Sequence, residues 1–109
     1  MILITGGRYQ GKLSYAQSIA CPENTIIDNC DRVIRQQLED GESQAKIMAS
    51  WRNVPVDSIV ILNDVSMGIV PIDKDERVFR ETVGKVGVML AENADSVYRV
   101  FCGIPMKIK

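Results

Sequence analysis

The sequence predicts an α/β fold with a small, mostly parallel sheet, and two observations carry that prediction. Apolar runs alternate with helical patterns along all 109 residues, in the order β-α-β-α-α-β-α-β with a short edge strand after them. The run 58–63, SIVILN, is the most continuous apolar segment, and such runs are typical of strands buried on both faces of a parallel sheet. No linker, repeat or low-complexity tract interrupts the chain, so one domain, 1–109, is expected.

Each element in that order has a local signal. Strands are short apolar runs, and helices are stretches whose apolar side chains recur every three or four residues. Asp31 is expected to cap the second helix, which Gly41 ends, and acidic residues enrich the first turn of the long helix that ends near Asn93. Pro71 is expected to close the loop before that helix. The predicted elements are a first strand whose polar end is Thr5-Gly6, helix 12–20, strand 25–28, helices 31–41 and 43–51, strand 58–63, helix 73–93, and strands 96–102 and 105–109.

Composition excludes several classes of partner. Hydrophobic residues make up 46% and charged residues 25%, and the formal net charge of −1 gives no electrostatic case for nucleic acid or a membrane surface. No apolar run approaches the length of a membrane span, and the apolar start has no basic region before it, as a signal peptide would. The three cysteines have no metal-ligand spacing, so we expect reduced thiols in a cytoplasmic protein.

The first strand runs into a glycine loop and then a helix, and this segment carries the clearest motif. Gly6 and Gly11-Lys12 have the spacing G-x-x-x-x-G-K of a phosphate-binding P-loop, which average residue frequencies would produce only about 0.03 times in a chain of this length. Such a loop turns backbone N–H groups toward phosphates, and its lysine reaches the outer ones. The alternative is a tight strand–helix turn with an incidental lysine. The candidate nucleotide-binding residues are Gly6, Gly7, Arg8, Tyr9, Gln10, Gly11, Lys12, Leu13 and Ser14.

The motif predicts a P-loop NTPase-like three-layer α/β/α domain, with one departure that concerns magnesium. Leu13 occupies the position where a Ser or Thr hydroxyl normally binds Mg2+. Ser14 lies about 100° further around the helix and is not expected to reach the same place. Binding of ATP or GTP with a weakened Mg2+ site is therefore expected, and phosphate binding is expected to survive better than turnover.

Polar residues at strand ends supply the other candidates, because ligands sit at the carboxyl ends of parallel strands. Asp28 ends the second strand and is a candidate catalytic acid and metal ligand, or alternatively it only caps the following turn. Asn63-Asp64 follows the central strand and would orient a nucleophile or a metal-bound water, or alternatively only bond its own loop. The candidate catalytic residues are therefore Lys12, Asp28 and Asp64.

The segment 63–71, NDVSMGIVP, resembles the N-E-V-G-x-G-I-V-P signature of the adenosylcobinamide kinase / adenosylcobinamide-phosphate guanylyltransferase family of cobalamin biosynthesis. Residues 1–20 resemble the family's opening strand and G-G-x-x-S-G-K-S loop, and residues 25–38 resemble its L-L-D-C-L-T segment, which puts Asp28 on the family's acid. Further agreement lies at Arg77, Phe79-Arg80-Glu81, Gly84, Leu90-Ala91, Ala94-Asp95, Val97, Gly103-Ile104-Pro105 and Lys107. The resemblance implies binding of a nucleoside triphosphate and of adenosylcobinamide, and a homo-oligomer, because the family assembles as trimers.

The departures from the family bear on its chemistry. A segment of about one βα unit or more is missing between Ala20 and Thr25, and in the family it carries the histidine that receives the guanylyl group. This chain has no histidine, so the guanylyltransferase half-reaction is expected to be lost. The substituted positions are Gln10 and Leu13 for loop serines, Ser66 for a glycine, Asp64 for a glutamate, and Gly87-Val88 for an Asn-Gln pair.

Three functions follow from this comparison. The first is a shortened kinase in which Lys12 and the loop amides hold the triphosphate, Asp28 orders magnesium, and Asp64 positions the corrinoid side-chain hydroxyl. The second is a catalytically degenerate regulatory or partner subunit that binds nucleotide or corrinoid. The third is a structural remnant that binds neither.

Overall fold

The computed structural model describes residues 1–65 and 73–109, and it confirms the α/β fold. A five-stranded sheet has the order β2-β3-β1-β4-β5 and is accompanied by four helices within the described ranges. In chain order the elements are β1 (Ile2–Gly6), α1 (Lys12–Ile19), β2 (Thr25–Ile27), α2 (Cys30–Glu39), α3 (Gln44–Arg52), β3 (Ser58–Asn63), α4 (Lys74–Asn93), β4 (Ser96–Phe101) and β5 (Ile104–Lys107).

The sheet is parallel except at one edge. β1 pairs in parallel with β3 and with β4, β2 pairs in parallel with β3, and β5 runs antiparallel to β4. All six residues of β3 are buried, as its continuous apolar run predicts. The register places Gly6 opposite Asn63, so β1 and β3 end side by side and release their following loops at the same edge.

Helices pack on both faces of the sheet, which gives the three-layer arrangement that the sequence predicts. On one face, Ala16 of α1 packs among Ile4, Ile59, Ile61 and Val100. The larger core on the other face joins α2, α3 and α4 to the sheet, with Ile34, Ile47, Val86 and Leu90 fully or almost fully buried in it. Burial of apolar side chains on both faces is the main favourable term for folding and fixes the layers.

Helix α4 begins with a side-chain cap, whereas α2 begins without one. Asp73 caps α4 through its side chain, which accepts hydrogen bonds from the backbone N–H groups of Asp75 at 2.8 Å and Glu76 at 3.3 Å. The prediction that Asp31 caps α2 was wrong: Asn29 holds the cap position with a positive φ of 53° and no side-chain cap bond. Asp31 instead lies one position into the helix and is buried, because its carboxylate bonds groups inside the protein.

The remaining boundaries agree with the sequence to within a few residues. α4 ends at Asn93, as predicted, and the final edge strand spans Ile104–Lys107 where 105–109 was expected. Pro71 and most of the segment that carries the family resemblance, residues 66–71, lie outside the described residues.

Gly6 provides a test of how the loop leaves β1. A Cβ at Gly6 would lie 2.5 Å from the carbonyl oxygen of Val100, and its φ is +143°. Gly6→Ala should therefore lower the free energy of unfolding by about 3 kcal/mol or more, through both a steric clash and an unfavourable backbone conformation. Denaturant unfolding with Gly41→Ala as the control measures this. Gly41 also has a positive φ, +83°, but nothing within 4 Å of an added Cβ, so that change should cost only about 1–2 kcal/mol. Equal losses in the two variants would contradict the clash.

Candidate functional site

A cavity of about 330 Å³ lies at the carboxyl edge of the sheet, where the loop after β1 faces the start of α2. Its volume falls within the range of about 300–1,000 Å³ that small-molecule sites occupy. Gly6 and Gly7 precede the lining segment and form the turn out of β1. The cavity is lined by Arg8, Tyr9, Gln10, Gly11, Lys12, Leu13, Ser14, Asp28, Asn29, Arg32, Ile61 and Asn63.

The loop has the backbone conformation that its glycines allow. Gly11 caps α1 with a φ of +93° and no side-chain cap bond, and Tyr9 also has a positive φ of 60°. The first turn of an α-helix has backbone N–H groups without partners in the helix, and its end has a partial positive charge. Because Leu13 and Ser14 of that turn line the cavity, the start of α1 faces it and favours an anionic group there.

Gln10 anchors the loop to the turn between β4 and β5. The backbone N–H of Cys102 donates to Oε1 of Gln10 at 2.7 Å, and the N–H of Gly103 donates to the Gln10 carbonyl oxygen at 2.8 Å. An added Cβ at Gly11 would lie 3.3 Å from the Cα of Gly103, so the two turns are in close contact. The sequence marked Gln10 only as a replacement for a family serine, whereas the structure gives it a role in holding the loop.

Lys12 is almost completely buried, with 5% of its surface exposed, and its ammonium group donates to the carbonyl oxygen of Gly7. Burial lowers the pKa of Lys12, while the negative charges of Asp28 and Asp31 act to raise it and Arg8 adds to the lowering. A poorly hydrated ammonium at the wall of a cavity attracts an anion more strongly than an exposed one, since water screens it less. Lys12 is therefore well placed to bind a phosphate group.

Three polar side chains form a network beside the loop. Nη2 of Arg8 donates to Oδ2 of Asp31 at 2.8 Å, and Nδ2 of Asn63 donates to Oδ1 of the same carboxylate at 3.0 Å. Asp31 is 1% exposed, so its charge is compensated entirely within the protein. The sequence placed Arg8 in the loop and Asn63 at the strand end but missed their connection, because an acid at a helix start usually indicates a cap.

Asp28 lines the cavity and also bonds the following turn, so both interpretations of its position are compatible with the geometry. The backbone N–H of Asn29 donates to Oδ1 of Asp28 at 2.7 Å. Within residues 1–65 and 73–109 no group of three His, Cys, Asp or Glu side chains could hold a metal ion unaided. Mg2+ usually keeps several waters and takes one or two carboxylates together with substrate phosphates. Asp28 fits that pattern as a single ligand, and Leu13, 41% exposed at the cavity, contributes no oxygen.

Asp64 is separated from the other candidates. Its backbone N–H donates to the carbonyl oxygen of Gly6 at 2.9 Å, and the residue lines a second cavity of about 260 Å³ beside α4. Thr5 and Gly87 line this cavity too, together with apolar side chains of the sheet. Asn63, the last residue of β3, lines both cavities. The structure thus groups Lys12 with Asp28 in the first cavity and places Asp64 in the second.

The described ranges contain no helix long and apolar enough to cross a membrane.

Comparison with known proteins gives one family. Residues 24–108 match the family model described as cobinamide kinase / cobinamide phosphate guanyltransferase. The chain is 39% identical over 79 residues to the bifunctional adenosylcobalamin biosynthesis protein CobU of Salmonella typhimurium strain LT2, covering 72% of this chain and 43% of that protein. It is 38% identical over 82 residues to the protein of the same name from Escherichia coli K12, covering 75% of this chain and 45% of that protein. The chain therefore spans less than half the length of either relative, and the match to the family model begins after the loop of residues 6–14.

The anchoring role of Gln10 can be tested on the free protein. Gln10→Ala removes the acceptor of the Cys102 N–H, so amide hydrogen exchange at Cys102 should accelerate and the free energy of unfolding should fall by about 0.5–1.5 kcal/mol. Gln36→Ala is a suitable control, because among the described residues the Gln36 side chain bonds its exposed helix neighbour Asp40, at 2.9 Å, far from the loop. Unchanged exchange at Cys102 in the Gln10 variant would show that the side chain does not hold the turn.

Proposed function

We propose a function for this chain on the premise that it belongs to the cobinamide kinase / cobinamide phosphate guanyltransferase family. The proposed function is that of an adenosylcobinamide kinase-like protein of cobalamin biosynthesis, which binds ATP or GTP with Mg2+ and transfers a phosphoryl group to the corrinoid side-chain hydroxyl. The observation that carries the proposal is the loop cavity, in which the buried Lys12 and the start of α1 face the same space as Asp28.

In the proposed reaction, residues of the first cavity bind the nucleotide and residues of the second bind the acceptor. Lys12 and the loop amides hold the triphosphate in the first cavity. Asp28 would hold Mg2+ together with the phosphates, and the ion would neutralise phosphate charge. Asp64 would position the acceptor hydroxyl from the second cavity, and Asn63 lines both cavities. Phosphoryl transfer depends mainly on such positioning and on electrostatic stabilisation, which these side chains are arranged to supply.

Guanylyl transfer is proposed to be absent from this chain. In the family that the sequence resembles, a histidine receives the guanylyl group, and the 109 residues contain none. The homo-oligomer that the resemblance implies stays a prediction.

A catalytically degenerate nucleotide- or corrinoid-binding subunit is the second candidate, and Leu13 favours it. This apolar side chain lines the cavity at the position where a P-loop hydroxyl normally binds magnesium. The phosphate-binding groups are retained around it, so binding without efficient turnover is a coherent outcome.

Nucleotide binding and turnover separate these candidates. Calorimetry with ATP and GTP, with and without Mg2+, should show binding that Lys12→Ala weakens by about 10- to 100-fold, since a charge-assisted hydrogen bond is removed. The same preparation is then assayed for phosphorylation of adenosylcobinamide. Leu13→Ser should strengthen the dependence on Mg2+ and raise turnover, whereas Leu13→Ala, which removes the same bulk without adding a hydroxyl, should not.

Two results of these measurements would contradict one or both of the candidate functions. Turnover by the unmodified chain that Leu13→Ser does not improve would contradict the degenerate subunit. Failure to bind either nucleotide at millimolar concentration would exclude both candidates.

The lowered pKa of Lys12 predicts how binding varies with pH. Lys12 should lose its proton at a pH below the ordinary lysine value of 10.5, and the neutral amine attracts phosphate weakly. Bound phosphate favours the charged amine, so binding in that pH range should take up a proton and the affinity should fall as the pH rises. ATP affinity measured from about pH 7 to pH 10 tests this against Lys12→Arg, because arginine stays charged throughout. Matching pH profiles for the two proteins would rule out Lys12 as the titrating group.

A further inference from the structure

Arg8 is a second cation at the loop cavity, and a buried carboxylate fixes its position. The Arg8 side chain is 46% exposed and lines the cavity, whereas its partner Asp31 is 1% exposed beneath it. Asn63 holds the other oxygen of the same carboxylate at 3.0 Å. One carboxylate oxygen of Asp31 thus accepts from Arg8 and the other from Asn63, and the carboxylate cannot rotate without breaking one of these two hydrogen bonds.

Stability alone is a weak reason for this arrangement. Taking a carboxylate out of water costs free energy that the ion pair only partly returns, and apolar residues of similar size often serve a core as well. Cys30 and Ile34 beside it in α2 are fully buried in the core, so an apolar side chain there would suit the surroundings. The Asp31 carboxylate instead fixes the orientation of the Arg8 side chain. It accepts a hydrogen bond from one nitrogen of a planar guanidinium that has five N–H donors. A guanidinium whose orientation is fixed in this way is suited to bidentate contact with phosphate.

The chain of contacts also indicates which phosphate Arg8 faces. Arg8 is linked through Asp31 to Asn63, and Asn63 lines the second cavity as well as the first. In the proposed kinase reaction the acceptor hydroxyl comes from that second cavity, so the phosphoryl group to be transferred would lie near Asn63, the residue that the two linings share. Arg8 would therefore lie near the terminal phosphate of the bound nucleotide.

We propose that Arg8 binds the terminal phosphate of the nucleoside triphosphate and sets a preference for triphosphate over diphosphate, and that Asp31, with Asn63, is the positioning residue that aims it. This inference rests on the proposed function, namely that the loop cavity binds a nucleoside triphosphate. Asp31 neutralises the charge of Arg8 when no ligand is bound. The ion pair therefore contributes to phosphate binding through the orientation of the guanidinium rather than through a large net attraction. Loss of Arg8 should consequently affect ATP far more than ADP.

The test compares ATP and ADP affinities in the presence of Mg2+ for a set of full-length variants. Arg8→Gln should weaken ATP binding by about 10- to 100-fold and ADP binding by less than about threefold. Asp31→Asn should lose most of the same ATP/ADP preference although Arg8 is retained, because an amide cannot accept from both Arg8 and Asn63 through two oxygens. Arg32→Gln is the matched control: it removes one positive charge from the same cavity and should weaken ATP and ADP binding by similar factors.

The double variant Arg8→Gln/Asp31→Asn carries the test if Arg8→Gln alone leaves the buried carboxylate without its cation and does not fold. Two neutral amides replace the ion pair in it, and its ATP/ADP preference should equal that of the single variants, since both act on one contact. An unchanged ATP/ADP ratio in Arg8→Gln or in the double variant would overturn the inference.

The positioning role has its own criterion. A change in melting temperature without a change in the ATP/ADP ratio for Asp31→Asn would show that Asp31 is only structural. If the unmodified chain binds neither nucleotide, the proposed function itself fails; if it binds both and the ratios do not move, only the role of Arg8 and Asp31 fails.

Discussion

The close contact of Gly6 with the Val100 carbonyl is the constraint on which the site depends. β1 lies between β3 and β4, and its last residue passes so near β4 that only a glycine fits there. The same residue pairs with Asn63 on the other side, and its carbonyl accepts the N–H of Asp64. The point where the loop leaves the sheet is thereby fixed from both sides, and every group of the cavity is placed relative to it.

Charge balance in the cavity follows from this placement. Lys12 and Arg8 enter the site from one loop, and the acids Asp28 and Asp31 enter it from the end of β2 and the start of α2. Asp31 is fully buried and satisfied by Arg8 and Asn63, while Lys12 donates to a neutral carbonyl and has a lowered pKa. The two cations are therefore not equivalent: Arg8 is held by a carboxylate, and Lys12 is the one whose charge is least compensated by a direct bond.

The sequence predicted the fold well because its signals are local and strong, such as the buried run of β3 and the glycine spacing of the loop. It was less informative where one local pattern serves two structures. An acid at a helix start indicates a cap, yet Asn29 adopts the cap position and Asp31 turns inward to partners distant in sequence. Asn63 and Asp64 form one polar strand end in the sequence, but β3 ends at Asn63. Asn63 lines both cavities and bonds Asp31, whereas Asp64 follows the strand and lines the second cavity.

The departures from the family pattern in the loop do not all have the same consequence. Gln10 stands where the family resemblance has a serine, and its side chain accepts the Cys102 N–H from the turn after β4, a contact that holds the loop. Leu13 replaces another serine and presents an apolar side chain to the cavity, where it can neither bind a cation nor hydrogen-bond a phosphate. Gln10 thus supports the conformation of the loop, whereas Leu13 offers no oxygen at the position where a P-loop hydroxyl normally binds magnesium. In a loop of the G-x-x-x-x-G-K spacing the backbone N–H groups and the lysine hold phosphate and the hydroxyl holds magnesium, so these two substitutions bear on different groups.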